Sequence, residues 1–472
     1  MLFNSLTFLA FATVFFLLWP LCRGGNNVRW AYLASASFLF YGWWDWRFLF
    51  LILGSGMLDF TMSLAMDRFP RGRRFFLAAS LLGNLGALAS FKYSGFIAEN
   101  LDGLFASLGF TTHFQASIPG FMLILPVGIS FYTFQSMSYT IDVFRGELKP
   151  TRNPVHYFAY LSLFPQLVAG PIVRARELLP QLCVPGRSTE ALRWAGLRLI
   201  VHGFFKKVVI ADNLGPVVDA AFGHATFYES TFFWWFIVSA FAFQIYCDFS
   251  GYSDIARGLA KWMGYEFDVN FNHPYNATSL TDFWRRWHIS LSTWFRDYVY
   301  IPLGGSRGGP VRAHVNMWIT MVVSGFWHGA SWTFIVWGAL HAAFLSLERV
   351  LRWPARLGAV RLLGPWLVNA LVLVQVWVAW VFFRAETFDQ ALRILGRMFS
   401  PAGGIFFGNQ GPTAAMFLGL GIARELYCRF VPDDHRWRAG RPPALDVAIL
   451  AALIAACVFL RGPGVAFIYF QF

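Results

Sequence analysis

Charge is scarce in this sequence. Acidic and basic side chains together make up 13% of the 472 residues, against about 25% in soluble chains, which excludes a soluble domain with an ordinary polar surface. Cysteine is scarce as well. The five present, Cys22, Cys183, Cys247, Cys428 and Cys457, are odd in number and far apart, so neither a disulfide framework nor a metal knuckle follows from them. No hydrophilic stretch is long enough to fold separately, and no unit of roughly 20 to 50 residues repeats itself. A single membrane domain over residues 1–472 is the economical reading.

What is abundant is apolar surface: 57% of residues are hydrophobic and 19% aromatic, with a mean hydropathy of +0.50. A spanning helix needs about 20 apolar residues. Runs of that order start at 2–22 and recur near 28–44, 48–66, 75–91, 118–141, 155–173, 196–218, 231–247, 313–347, 365–383, 411–423 and 444–460. These predict an all-α polytopic membrane protein with about ten to twelve membrane helices. The first run lacks a basic leader and a small-residue cleavage site, and reads as a retained span rather than a signal peptide. The net charge of +13 gathers in short connections: Arg68, Arg71, Arg73 and Arg74; Arg349, Arg352, Arg356 and Arg361; Arg436, Arg438 and Arg441. Such clusters read as cytoplasmic topology signals facing anionic lipid, and their place between spans argues against nucleic-acid binding.

The longest weakly hydrophobic region runs from Asp248 to Gly309, with polar residues alternating with aromatic ones. Within it, Ser279-Leu-Thr-Asp282 has the form of a capping box and predicts a helix from Leu280. On that helix Trp284, Trp287, Leu291, Phe295 and Tyr298 share one side, while Arg285, His288, Ser292 and Arg296 share the other. The polar side either lies at the headgroups or lines a cavity. Pro302-Leu-Gly-Gly-Ser-Arg-Gly-Gly-Pro310 then breaks the helix.

From Ala313 to Leu347, 35 residues contain no Asp, Glu, Lys or Arg but include His314, His328 and His341. Histidine inside a bilayer is costly and points by default to function. His328 follows His314 by 14 residues, roughly 21 Å along a helix, which puts it near mid-membrane. Small residues flank it in Ser324-Gly-Phe-Trp-His-Gly-Ala-Ser-Trp332, where a backbone or a thin acyl chain can approach. A histidine there either bonds a neighbouring carbonyl or serves as a base: with an ordinary pKa near 6.5 it can take the proton of a hydroxyl that attacks an acyl group. His288 could orient the substrate or polarise the acyl carbonyl. Neither these two nor His273 has the short spacing of a zinc-binding helix. Asp45, Asp59, Asp142, Asp248 and Asp254, in apolar surroundings, are each expected to pair with an arginine or a backbone amide.

Several segments together resemble the membrane-bound O-acyltransferase family, in its bacterial alginate O-acetyltransferase form, along nearly the whole chain. They are Tyr41-Gly-Trp-Trp-Asp-Trp-Arg47, Pro126-Val-Gly-Ile-Ser-Phe-Tyr-Thr-Phe-Gln135, Tyr139-Thr-Ile-Asp-Val-Phe-Arg145, Phe164-Pro-Gln-Leu-Val-Ala-Gly-Pro-Ile172, Tyr246-Cys-Asp-Phe-Ser-Gly-Tyr-Ser-Asp-Ile-Ala256, Asp282-Phe-Trp-Arg-Arg-Trp-His-Ile-Ser-Leu-Ser-Thr-Trp-Phe-Arg-Asp297, Gly325-Phe-Trp-His-Gly-Ala330 and Phe467-Ile-Tyr-Phe-Gln-Phe472. The resemblance implies membrane and re-entrant helices around a central funnel or tunnel. It makes His328 the essential histidine and His288 the second, a position that is asparagine or aspartate in some relatives. Trp284, Arg285, Trp287, Ser292, Arg296 and Trp327 are the expected substrate-binding residues. The resemblance further implies a multi-pass protein of the bacterial inner membrane with no tightly bound cofactor and no metal. The donor would be acetyl-coenzyme A or another acyl thioester, and the acceptor an envelope polysaccharide, reached directly or through periplasmic acetyltransferase partners. Two other classes compete: a polysaccharide-export transporter, for which the paired interrupted segments of such proteins are not found, and a non-catalytic scaffold for a periplasmic enzyme.

Overall fold

The computed structural model describes residues 1–167, 170–184, 186, 188–225, 230–360, 363–401, 403, 411–430 and 444–468. Val168, Ala169, Arg361, Arg436, Arg438, Arg441 and the last four residues of the Phe467–Phe472 motif lie outside them. Every regular element among the described residues is helical. Among the described residues, five helices are long and apolar enough to cross a membrane: Trp46–Arg68, Pro70–Ser107, Thr231–Met263, Trp332–Leu351 and Gly364–Arg384. Leu6–Cys22 and Ala444–Phe459 are apolar but shorter. The protein is an all-α polytopic membrane protein. Its chain forms two compact units, Met1–Arg193 with Leu259–Asp268, and Trp194–Gly258 with Val269–Phe472.

In the first unit the helices Leu49–Arg68, Arg73–Leu88 and Ile129–Arg145 pack on one another. Asp59 sits buried between them. Its carboxylate accepts hydrogen bonds from Ser80 Oγ at 2.5 Å and Asn84 Nδ2 at 2.8 Å, and Ser136 Oγ donates to the Asn84 carbonyl at 3.2 Å. The expected arginine or backbone amide is therefore replaced by neutral side-chain donors, which satisfy the carboxylate without the cost of desolvating a second charge. Asp45 does pair with an arginine, Arg47, at 2.6 Å.

In the second unit lysines hold three aspartates. Lys207 Nζ lies 2.8 Å from both Asp212 and Asp248, while Asp248 also accepts from the Ile468 amide at 2.8 Å. Lys206 meets Asp254 at 2.5 Å, with Arg257 3.6 Å away. Both lysines sit on a π-helical stretch, Phe205–Ala211.

The uncharged run 313–347 is two helices rather than one continuous element: Gly309–His328 and Trp332–Leu351. The first ends because Gly329 turns extended. The second starts at Ser331, whose side chain accepts from the Thr333 amide at 3.3 Å. Gly325 and Gly338 let the pair touch, since a Cβ on either would run into a carbonyl oxygen of the other helix, Phe334 or Met321. Around this pair lies a core of aromatic side chains in which Trp234, Trp287, Trp337 and Trp380 are fully buried.

Candidate active site

The Ser279 cap forms at the expected place, with the return bond one residue earlier than in a capping box. Ser279 Oγ accepts from the Asp282 amide at 2.9 Å, and the Asp282 carboxylate accepts from the Thr278 amide at 3.2 Å. The helix it starts, however, stops at Arg286 instead of running on to Tyr298. Trp287 is extended, His288 adopts a left-handed conformation with φ +43°, and a second short helix, Ile289–Phe295, follows. The break is imposed by backbone pairing with a distant segment: the Ile289 amide donates to the Asn270 carbonyl at 2.8 Å and the Asn272 amide to the Arg286 carbonyl at 2.9 Å. A left-handed non-glycine residue costs roughly 1–2 kcal/mol, which these bonds offset.

The consequence falls on His288. Arg285 and Arg296 are exposed as the periodicity requires, but His288, expected beside them, is turned inward and fully buried. Its ring packs edge-on to Phe249 at 4.6 Å and stacks on Phe271 at 6.1 Å. Nδ1 lies 3.2 Å from Asn270 Oδ1. Burial lowers the imidazole pKa to about 3, so the ring is neutral at physiological pH.

His328 is the last residue of its helix and is 3% exposed. Its ring touches Trp327 and Trp337, each at 5.0 Å, and Phe383 at 5.4 Å. Trp327 also meets His288 at 6.5 Å, so one indole links the two histidines. His341 is buried against Trp284 and Trp337 at 4.9 and 4.8 Å. His314 is 3.3 Å from Ser346 Oγ, and His273 is 3.2 Å from Glu425. Among the described residues no three His, Cys, Asp or Glu side chains converge on a point that could hold a metal.

Beside the histidines lies a cavity of about 530 Å³ whose wall includes Trp284, Arg285, Ser292, Arg296, Ser324 and Arg349. Four of the expected substrate-binding residues are thus on its lining. Trp287 and Trp327 are not, being 1% and 4% exposed within the packed core. Neither histidine lines it, but Ile289, next to His288, and Ser324, one turn before His328, both do. Arg349, read from sequence only as a topology signal, adds a third guanidinium. Asn270 was also missed, because a lone asparagine 18 residues before His288 carries no spacing signal.

Three guanidinium groups over an otherwise largely apolar wall suit an elongated ligand with an anionic end. Two buried imidazoles beyond the wall suit proton transfer. The profile of the membrane-bound O-acyltransferase family matches residues 122–387. The chain is 42% identical to the probable alginate O-acetylase of Azotobacter vinelandii over 78% of its own length and 72% of that protein. It is 34% identical to the peptidoglycan O-acetyltransferase of Helicobacter pylori, over 78% and 73% of the two chains. A teichoic acid D-alanyltransferase of Bacillus subtilis is 28% identical over 55% of this chain and 68% of its own.

Proposed function

Since the chain belongs to the membrane-bound O-acyltransferase family and is an O-acyltransferase of the membrane, we propose that it carries acetyl groups from a cytoplasmic thioester toward the hydroxyls of an exported polysaccharide, with His328 as general base. His328 takes the proton of the acceptor hydroxyl as its oxygen attacks the thioester carbonyl. The carbon–sulfur bond then breaks, and the departing thiolate recovers the proton from the imidazolium, leaving an ester and a free thiol. His288 orients or polarises the reactants.

The observation that carries this reading is the pair of buried histidines joined through Trp327 next to the arginine-lined cavity. Arg285, Arg296 and Arg349 attract the phosphate end of a donor, which is present both in acetyl-coenzyme A and in the phosphopantetheine of a carrier protein. Trp284 and Ser292 line the path inward, and Trp287 and Trp327 hold the core behind it. The acceptor is a glycan of the kind named for the relatives, alginate or a similar polymer outside the inner membrane, reached directly or through a periplasmic acetyltransferase.

The test is the O-acetyl content of surface polysaccharide in cells carrying the wild-type protein or His328→Ala, with membrane levels of both proteins followed by blot. Loss of acetylation at equal protein level is the expected result. Unchanged acetylation would overturn the catalytic assignment and favour a transporter or a scaffold.

A further inference from the structure

Asn270 is buried at 1% exposure and holds four groups at once. Its Oδ1 faces the Ser290 amide at 3.2 Å, Ser290 Oγ at 2.9 Å and His288 Nδ1 at 3.2 Å. Its Nδ2 donates to Ser253 Oγ at 3.1 Å. An amide side chain can be placed either way round in principle, but here the choice is forced: a backbone N–H can only donate, so the atom facing the Ser290 amide is the oxygen. The same oxygen faces His288 Nδ1. A carbonyl oxygen has no proton to give, so the proton of that hydrogen bond resides on Nδ1. In a neutral imidazole this leaves the lone pair on Nε2.

We propose that Asn270 is a positioning residue that fixes His288 with its proton on Nδ1 and its lone pair on Nε2, so that His288 orients the acceptor by accepting a hydrogen bond and does not polarise the acyl carbonyl. The inference rests on the acetyl-transfer reading above and decides between the two roles left open for His288. Phe249, Phe271, Trp327 and Asn270 pack against His288. Of the charged residues next along the same elements, Asp248 and Asp254 are engaged by Lys207 and Lys206 and Arg286 by Asp282, and His328 follows Trp327. The Asn270 oxygen on Nδ1 sets the tautomer of the ring.

Asn270→Asp tests this through a pH profile of acetyl transfer from acetyl-coenzyme A in membrane vesicles. A carboxylate beside Nδ1 favours the imidazolium, raising the His288 pKa by about one to three units. The imidazolium has no lone pair on Nε2. From about 3 in the wild type this brings the His288 protonation to about pH 4–6, so kcat should fall more steeply on the acid side of the profile, with activity recovering as pH rises. If His288 polarised the carbonyl, the same substitution would keep it protonated longer and move the alkaline limb up instead, which would overturn the proposal, as would an unshifted profile. Should Asn270→Asp not accumulate in the membrane, Asn270→Ser carries the test: a drop in kcat of about 10- to 100-fold, the scale of lost outer-shell support, with the KM for acetyl-coenzyme A unchanged. An unchanged kcat would refute the assignment. Wild-type vesicles that transfer no acetyl group would count against the enzyme reading itself and not against Asn270.

Discussion

The cavity's three arginines are not equivalent, and their inequality predicts a kinetic ranking. Arg296 Nε lies 2.7 Å from Asp297 and its side chain is 59% exposed, so an approaching phosphate meets a pair that is already close to neutral. Arg285 and Arg349 form no ion pair among the described residues, and each offers an uncompensated charge to the cavity. A charge-assisted hydrogen bond to phosphate is worth about 1.5–3 kcal/mol when buried. At an exposed rim, screening reduces this to about 1 kcal/mol, or roughly fivefold in KM. Arg285→Ala should therefore raise the KM for acetyl-coenzyme A about fivefold, with kcat nearly constant, because the phosphate is bound alike in the ground and transition states. Arg296→Ala should change KM by about twofold or less. The assay is acetyl transfer in membrane vesicles at low and high ionic strength. The Debye length shrinks from about 30 Å at 0.01 M to about 3 Å at 1 M salt, so the Arg285 effect should fade as salt rises. An Arg285→Ala enzyme with wild-type KM at low salt, or an Arg296→Ala effect as large as that of Arg285→Ala, would refute this account of the donor mouth.

Two further outcomes concern stability. A Cβ at Gly338 would run into the Met321 carbonyl, so Gly338→Ala should force the two helices apart at a cost of about 1–3 kcal/mol; a thermal melt of purified protein in detergent should show a lowered Tm, and an unchanged Tm would mean that the helices do not depend on this contact. Burial holds the His288 pKa at about 3, below the roughly 6.5 of an unfolded histidine. Below about pH 6.5 the unfolded chain binds a proton that the folded chain refuses, so this part of the stability is intact above that pH and is lost progressively as pH falls toward 3. Between those limits the Tm of His288→Gln should fall less steeply than that of the wild type, and parallel slopes would sink the assignment.

The sequence made the membrane class legible because the relevant signal is compositional, and it singled out His328 because a histidine in a long uncharged run is conspicuous at any register. Helical periodicity was right for Trp287, Leu291, Phe295 and Tyr298, which are all buried, and for Arg285 and Arg296, which are exposed. It failed at His288. Extrapolating 100° per residue through this position placed the imidazole among the arginines, whereas the left-handed turn between the two short helices rotates it into the core. No local signal marks that turn, since neither Gly nor Asn occupies it. Its cause lies in the chain segment 270–272, whose carbonyl and amide take the hydrogen bonds that a continuous helix would have kept for itself. The same segment supplies the Asn270 side chain that engages the imidazole. One tertiary contact thus breaks the helix, turns the histidine and presents Nδ1 to an acceptor oxygen. A pattern read in a window of one helix sees only the first partner of each of these bonds, so the features it misses are those in which backbone strain and chemistry coincide.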